Sequence, residues 1–198
     1  MFKSLAYEAM LFAIEKHKNQ VRKYTGEPYF NHLAEVVAIS MSVGWQASMI
    51  HPDKVMAVAW LHDVIEDCGV LWSDISSKFG NDIADGVMQL SEVYSGNRKT
   101  RKKIMRDVLG DSPEWIQTIK CADLISNATS IIKHDPEFAK VFCAEAVALL
   151  DVMDNADSRL RDMAYGMCNE NFVMDMEALL GDHKKSLDMI EGYVKRNL

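Results

Sequence analysis

His62, Asp63, Glu66 and Asp67 lie close together near the middle of the first half of the chain and carry side chains suited to chemistry. Glu66 follows His62 by four residues and Asp67 follows Asp63 by four, so on one helix they form two adjoining rows on one polar face. Just before them, Val55, Met56, Ala57, Val58, Ala59, Trp60 and Leu61 are apolar nearly all round, which puts this helix at the centre of a bundle. Three carboxylates and an imidazole at the end of a core helix are costly without a compensating cation, and a metal ion is the economical explanation. The other reading is an acidic helix end frayed into solvent, although negative charge there opposes the helix dipole, so stability alone would not select it.

Asp123 and Asn127 repeat the i, i+4 spacing inside an apolar stretch, Ile119-Lys120-Cys121-Ala122-Asp123-Leu124-Ile125. His32 stands beside Asn31 at the start of another expected helix. Taken singly, such an Asp is a satisfied buried carboxylate and such a His a cap or surface residue. The two gain meaning only if the three helices converge. Arg98-Lys99-Thr100-Arg101-Lys102-Lys103, with Arg106, is the one dense basic run, and it reads either as a phosphate-binding surface or as a solvated helix face.

The elements that must position these groups read as helices throughout. Apolar spacing predicts helices over about 4–19, 31–43, 53–66, 72–79, 81–91 and 98–109, with a polar loop at 21–28, another at 91–97, and Gly80 as a stop. Ser112-Pro113-Glu114 predicts a helix start with Ser112 as N-cap, and Asp135-Pro136 another that runs to about Met153. Two or three amphipathic helices fill about 155–197. No strand and no internal repeat stand out. The expectation is an all-α bundle of roughly ten helices forming a single domain over 1–198, with a motif-bearing core at about 20–130 and C-terminal helices at about 135–198.

A chain of 198 residues can bury a core without metal or disulfide staples. Its 22 Lys and Arg against 29 Asp and Glu give a net charge of −7, unsuited to coating DNA or RNA, so a polyanionic ligand needs a local patch or a metal. No pair among Cys68, Cys121, Cys143 and Cys168 has CxxC spacing, which predicts reduced core cysteines. The N-terminus has no signal-like pattern, and no uncharged apolar run nears the ~18 residues of a membrane span, so a cytoplasmic protein is expected. His17, His51, His134 and His183 are expected at the surface or as caps, and Trp45, Trp60, Trp72 and Trp115 in packing.

Three segments together carry a resemblance: Thr25-Gly26-Glu27-Pro28-Tyr29-Phe30-Asn31-His32, His62-Asp63-Val64-Ile65-Glu66-Asp67, and Lys120-Cys121-Ala122-Asp123 with Asn127. In order and separation they are similar to the hydrolase module of RelA/SpoT homologues, HD-domain proteins that degrade (p)ppGpp alarmones, and the length is similar to the free-standing small alarmone hydrolases. The resemblance implies an HD-domain bundle in which His32, His62, Asp63 and Asp123 hold one divalent metal, by analogy Mn²⁺, with Fe, Zn and Co compatible with the ligands. It implies that Glu66 and Asp67 position and deprotonate water. Arg22 and Lys23 would meet the nucleotide, Arg22 lying over the purine; Tyr29 would wall the pocket, Asn127 would bond near the ribose, and a basic pair would lie at Arg101 and Lys102. The implied reaction removes the 3′-pyrophosphate of the alarmone.

Leu124, Ser126 and Thr129 depart from the family's pattern of a basic residue, an aromatic or His, and an Arg. These positions line or support the nucleotide pocket, so (p)ppApp joins (p)ppGpp as an expected substrate, with a pyrophosphorylated tRNA 3′ end as a further one. The alternatives are another HD phosphohydrolase, such as an NADPH 2′-phosphatase or a nucleotidase, and a non-catalytic alarmone-binding or antitoxin-like partner.

Overall fold

A computed structural model describes residues 4–44 and 51–180, with side chains through residue 169. Trp45, His183 and the expected helical stretch 181–198 lie outside the described residues. The described residues form ten α-helices and no strand, in keeping with the all-α bundle expected from the periodicity. An isolated antiparallel bridge pairs Val21 with Pro28.

Helices α1 (Leu5–Lys16) and α2 (Phe30–Met41) both pack on α3 (Pro52–Leu61). The start of α1 is fixed from both sides. Ser4 Oγ accepts from Tyr7 N–H at 3.4 Å, while Asp53, in the first turn of α3, accepts from Ser4 Oγ at 2.5 Å, Leu5 N–H at 2.8 Å and Ala6 N–H at 3.2 Å. A carboxylate borrowed from a neighbouring helix thus satisfies amides that a helix start leaves open. Between α1 and α2, Gly26 at φ 70° closes a clasp in which Arg22 N–H donates to Glu27 O at 2.8 Å and Tyr29 N–H to Gln20 O at 3.0 Å. The 21–28 loop is therefore a fixed turn that delivers Arg22 and Tyr29 to the start of α2.

Val55, Ala57, Val58, Ala59, Trp60 and Leu61 are all buried, as the apolar run predicts, and each large side chain contributes about 1.5–3 kcal/mol by leaving water. The expected helix over 53–66 is, however, two helices: α3 ends at Leu61 and α4 spans Val64–Cys68. His62 is the reason. Its Nδ1 bonds the Ala59 carbonyl at 2.8 Å, the group that would accept the Asp63 N–H in a continued helix. Helix α4 starts at Val64, and the Asp67 N–H donates to Asp63 O at 2.8 Å, so Asp63 and Asp67 keep their one-turn spacing across the break.

Helices α5 (Trp72–Phe79) and α6 (Asn81–Leu90) pack together across Gly80, which sits at φ 91° as the expected stop, and α6 packs on α3 and α8. Asn97 caps α7 (Arg98–Gly110), accepting from Thr100 N–H at 2.9 Å. Helix α8 (Glu114–His134) crosses the centre of the bundle and is buried along most of 116–128. Its N-cap is Pro113 rather than Ser112, because the Ser112 hydroxyl points back to Val108 O and Gln89 Oε1, each at 2.8 Å. Asp135 caps α9 (Pro136–Leu150), accepting from Phe138 N–H at 3.1 Å. Of the two or three amphipathic helices expected over about 155–197, the described residues contain one, α10 (Ser158–Leu180). One cluster of buried apolar side chains extends from Ala9 to Cys168. No described helix is long and apolar enough to cross a membrane.

Trp60 stacks on Phe30 at 5.4 Å, and Cys121, Cys143 and Cys168 are buried thiols, as expected. His51 caps α3 through the Asp53 N–H, and His134 is exposed. His17 is the C-cap residue of α1, one of the two places expected for it, but it is not at the surface. It is buried, stacked on Tyr29 at 4.9 Å with Nδ1 2.6 Å from Gln20 Oε1, while its neighbours Glu15, Lys16 and Lys18 are exposed.

Candidate metal centre and its cleft

His32 from the first turn of α2, His62 and Asp63 from the α3–α4 break, and Asp123 from the middle of α8 meet at one point. The donor atoms of His32, His62 and Asp123 lie within 4.8 Å of one another, and all three residues are buried. Asp63 Oδ2 adds to them, 2.9 Å from His62 Nε2 and 3.4 Å from His32 Nε2. Asp123 Oδ1 is 3.3 Å from His32 Nε2 and 3.7 Å from His62 Nε2.

Whether these residues fit a cation is decided by their nitrogens. Both Nε2 atoms are buried and, among the described residues, have no hydrogen-bond partner, despite the nearby carboxylates. Each Nδ1, by contrast, is occupied: His62 Nδ1 by Ala59 O and His32 Nδ1 by Ser126 Oγ, both at 2.8 Å. A carbonyl only accepts, so the neutral His62 carries its proton on Nδ1 and presents the Nε2 lone pair to the centre. Two imidazole lone pairs and two carboxylates converging in a buried space suit a divalent metal ion.

The electrostatics agree. Burial opposes the charge on His32 and His62, but the carboxylates of Asp63 and Asp123 outweigh it and hold both imidazoles above their usual range. Burial likewise opposes charge on Asp123, yet Lys120 and the two imidazoles hold its carboxyl well below the usual range. Binding of a divalent ion to these imidazoles would therefore be coupled to loss of protons. Neighbours fix the carboxylates. Tyr29 Oη donates to Asp63 Oδ2 at 2.7 Å, Asn127 Nδ2 to Asp123 Oδ1 at 2.7 Å, and Lys120 Nζ to Asp123 Oδ2 at 2.8 Å.

Asp63 and Asp123 open onto a cleft of about 220 Å³ whose lining also includes Glu66 and Asp67. Burial raises the Glu66 carboxyl above its usual range, and Glu66 Oε2 accepts the Glu92 N–H at 2.7 Å. Asp67 Oδ2 accepts from Gln20 Nε2 at 2.8 Å, and Gln20 is braced in turn by His17. Arg98, Lys102 and Arg106 of α7 form a basic part of its wall. Two acidic residues restrain that wall. Glu92 holds Arg101 at 3.0 Å and Lys102 at 2.6 Å, and Glu145 holds Arg98 through two contacts of 2.6 and 2.8 Å.

Among the expected substrate contacts, Tyr29, Asn127 and Lys102 line this cleft. Arg101 is not in its lining; it turns to Glu92 and to the Gly96 carbonyl at 2.9 Å. Lys23 points away into solvent beside Tyr24 and Asp135. Arg22 borders a second cavity of about 210 Å³, with its guanidinium on Asn127 Oδ1 at 3.1 Å and Ser126 O at 3.3 Å. Sequence reasoning missed Gln20, Glu92 and Glu145, gave Lys120 only as part of a motif, and named Arg98 and Arg106 only as members of the basic run. Spacing carried a signal for the basic residues: Arg98, Lys102 and Arg106 recur every fourth residue on α7, and Lys120 precedes Asp123 by one turn.

Comparison with known proteins gives concordant findings. The HD domain family model matches residues 9–111. The chain is 31% identical over 130 residues to the guanosine-3′,5′-bis(diphosphate) 3′-pyrophosphohydrolase MESH1 of Drosophila melanogaster, a match covering 65% of this chain and 70% of that one. It is 30% identical over 135 residues to MESH1 of Xenopus tropicalis, covering 68% and 73%. The solved structure of a metazoan ortholog of SpoT that hydrolyses ppGpp superposes with a TM-score of 0.73 at 24% identity, covering 88% of this chain and 97% of that one, a likeness of fold.

Proposed function

The chain belongs to the HD-domain family, and from that premise we propose that it hydrolyses the 3′-pyrophosphate of a purine alarmone, (p)ppGpp or (p)ppApp, releasing pyrophosphate. The observation that carries this reading is the meeting of two buried imidazole nitrogens and two carboxylates, the carboxylates opening onto a cleft that Arg98, Lys102 and Arg106 also line. A non-catalytic binder has no need of Glu66 and Asp67 beside such a centre.

His32, His62, Asp63 and Asp123 would hold one divalent ion, for which Mn²⁺ suits the mixed imidazole and carboxylate set. Such an ion supplies an acidified water and positive charge against phosphate oxygens. Charge in the cleft explains why it is needed. Asp63, Glu66, Asp67, Glu92, Asp123 and Glu145 face Arg98, Lys102, Arg106 and Lys120, six negative groups against four positive, so the lining alone repels a polyphosphate.

In the reaction proposed, Glu66 and Asp67 orient a water and take its proton. The water oxygen bonds to the phosphorus attached to the ribose 3′ oxygen, the bond from that phosphorus to the 3′ oxygen breaks, and the 3′ oxygen takes up a proton as pyrophosphate leaves. Lys102, Arg98 and Arg106 take the phosphate oxygens, displacing or sharing the carboxylates of Glu92 and Glu145. Lys120 keeps Asp123 ionised and oriented. Asn127 meets the ribose and Arg22 the purine, while Tyr29 walls the cleft and steadies Asp63.

Metal-stripped protein incubated with ppGpp and, separately, ppApp, each with Mn²⁺, Mg²⁺ or chelator, tests this reading by chromatography. Pyrophosphate and a nucleoside 5′-diphosphate are expected with Mn²⁺ and not with chelator, and the ratio of the two rates gives the base preference. Release of a single orthophosphate would make the protein a phosphatase. Absence of product from either nucleotide would refute the alarmone reading and turn attention to the tRNA 3′ end and to a non-catalytic partner.

A further inference from the structure

His62 and His32 are held by different means. The Nδ1 of His62 rests on a main-chain carbonyl of its own helix, which fixes the proton without help from any side chain. His32 has no such carbonyl. Its Nδ1 lies 2.8 Å from the hydroxyl of Ser126 on α8, and that hydroxyl lies 2.6 Å from Glu35 Oε2, one turn along α2 from His32 itself. A serine hydroxyl is ambiguous because it both donates and accepts, so alone it leaves either nitrogen of His32 free to carry the proton.

Glu35 removes the ambiguity. As a carboxylate it only accepts, so the single hydroxyl proton of Ser126 is spent on Glu35, and the Ser126 oxygen can only accept from His32 Nδ1–H. The Nε2 lone pair is then forced toward Asp63 and Asp123. We propose that Ser126 and Glu35 are positioning residues that fix the tautomer and the ring direction of the metal ligand His32. The proposal rests on the metal-centre reading above.

Three further observations fit. Ser126 and His32 are buried, 1% exposed each, so the bond between them is shielded from competing water. The Ser126 carbonyl is gripped from the other side by Arg22 at 3.3 Å, which restrains the residue at both its main chain and its side chain. Glu35 is exposed at the second cavity, so a charged group is placed there with little desolvation cost.

The test is the Mn²⁺ affinity of the full-length, metal-stripped protein by isothermal titration, with thermal unfolding of the same samples. Ser126→Ala should weaken Mn²⁺ binding by roughly 10–100-fold, the range for losing the partner of a ligating histidine. Ser126→Thr keeps a hydroxyl and should restore most of the affinity. Glu35→Ala should weaken binding several-fold and Glu35→Gln less, because an amide oxygen still accepts. Ser130→Ala, which alters the same cavity without touching the relay, should bind as wild type does.

Wild-type affinity in a folded Ser126→Ala would overturn the proposal, as would equal weakening by Ser126→Ala and Ser126→Thr. Should Ser126→Ala fail to fold, the surface change Glu35→Ala decides, and an unchanged affinity there overturns it. Wild-type protein that takes up no divalent ion would overturn the metal centre and the relay with it. Tight Mn²⁺ binding without alarmone turnover would leave the relay standing and refute only the substrate.

Discussion

Gly86 on α6 is where packing and the metal centre meet. A Cβ at this position would stand 2.8 Å from Trp115 Cη2, 3.1 Å from Ile116 Cδ1 and 3.1 Å from Val58 Cγ2. Val58 lies one turn before His62 on α3, and Ile116 lies about two turns before Asp123 on α8. Gly86→Ala therefore drives a wedge between the two helices that supply His62 and Asp123. Overpacking of this kind costs ~1–3 kcal/mol, and the better helix propensity of alanine returns ~1 kcal/mol, which leaves a net loss of up to ~2 kcal/mol. For a chain of this size, 1 kcal/mol corresponds to ~2–4 °C in Tm. Gly166, inside α10 with no atom of the described residues within 4 Å of an added Cβ, supplies the control, and Gly166→Ala should raise Tm slightly. The assay is differential scanning calorimetry of both variants, paired with Mn²⁺ titration. Gly86→Ala should melt lower and bind Mn²⁺ more weakly while Gly166→Ala binds normally. A Gly86→Ala protein that melts higher with unchanged Mn²⁺ binding would refute the claim that close approach of α6 sets the spacing of the ligands.

Other expectations follow from single contacts. Glu66→Gln should keep Mn²⁺ binding and lose turnover by ~10²-fold or more, and unchanged turnover would remove Glu66 from the mechanism. Glu92→Gln weakens the carboxylate's hold on Lys102 and Arg101 and should lower KM for the alarmone ~2–5-fold, the scale of a part-exposed ion pair; a raised KM would mean that Glu92 aims these cations rather than competing with phosphate. Asp53→Asn removes the shared cap of α1 and should cost ~1 kcal/mol at neutral pH by urea unfolding. Burial opposes the charge on Asp53, but the Ser4 hydroxyl and the amides of Ala6 and Leu5 hold its carboxyl below the usual range. Its contribution is therefore present above the unfolded pKa near ~4 and is lost as pH falls through the lower folded value, so the gap between wild type and Asp53→Asn should close on acidification.

Much of this site was legible because its chemistry is local. His62-Asp63 with Glu66-Asp67, and Asp123 with Asn127, fall within a turn of one another, and helical periodicity placed their carriers in the core. What spacing along one helix cannot give is direction between helices. Lys23 follows Arg22 directly, yet the clasp sends one side chain to Asn127 and the other to Tyr24 and Asp135. Arg101 and Lys102 are adjacent as well, and only Lys102 faces the cleft. The break after Leu61 was hidden because it comes from a side chain bonding a backbone carbonyl, with no glycine or proline to mark it. The burial of His17 was hidden because it depends on Tyr29 arriving from the far side of the turn. Gln20, Ser126 and Glu35 act through partners 47 to 94 residues away, which no local pattern encodes.

Hydrolysis of ppGpp in ¹⁸O-labelled water by the Mn²⁺-loaded protein, with the products separated and weighed by mass spectrometry, tests the central claim most directly. Attack on the phosphorus joined to the ribose 3′ oxygen requires one ¹⁸O in the released pyrophosphate and none in the nucleoside 5′-diphosphate, with the reaction abolished by chelator and by Asp63→Ala. Label in the nucleoside product, labelled orthophosphate in place of pyrophosphate, or turnover that survives Asp63→Ala would contradict the account.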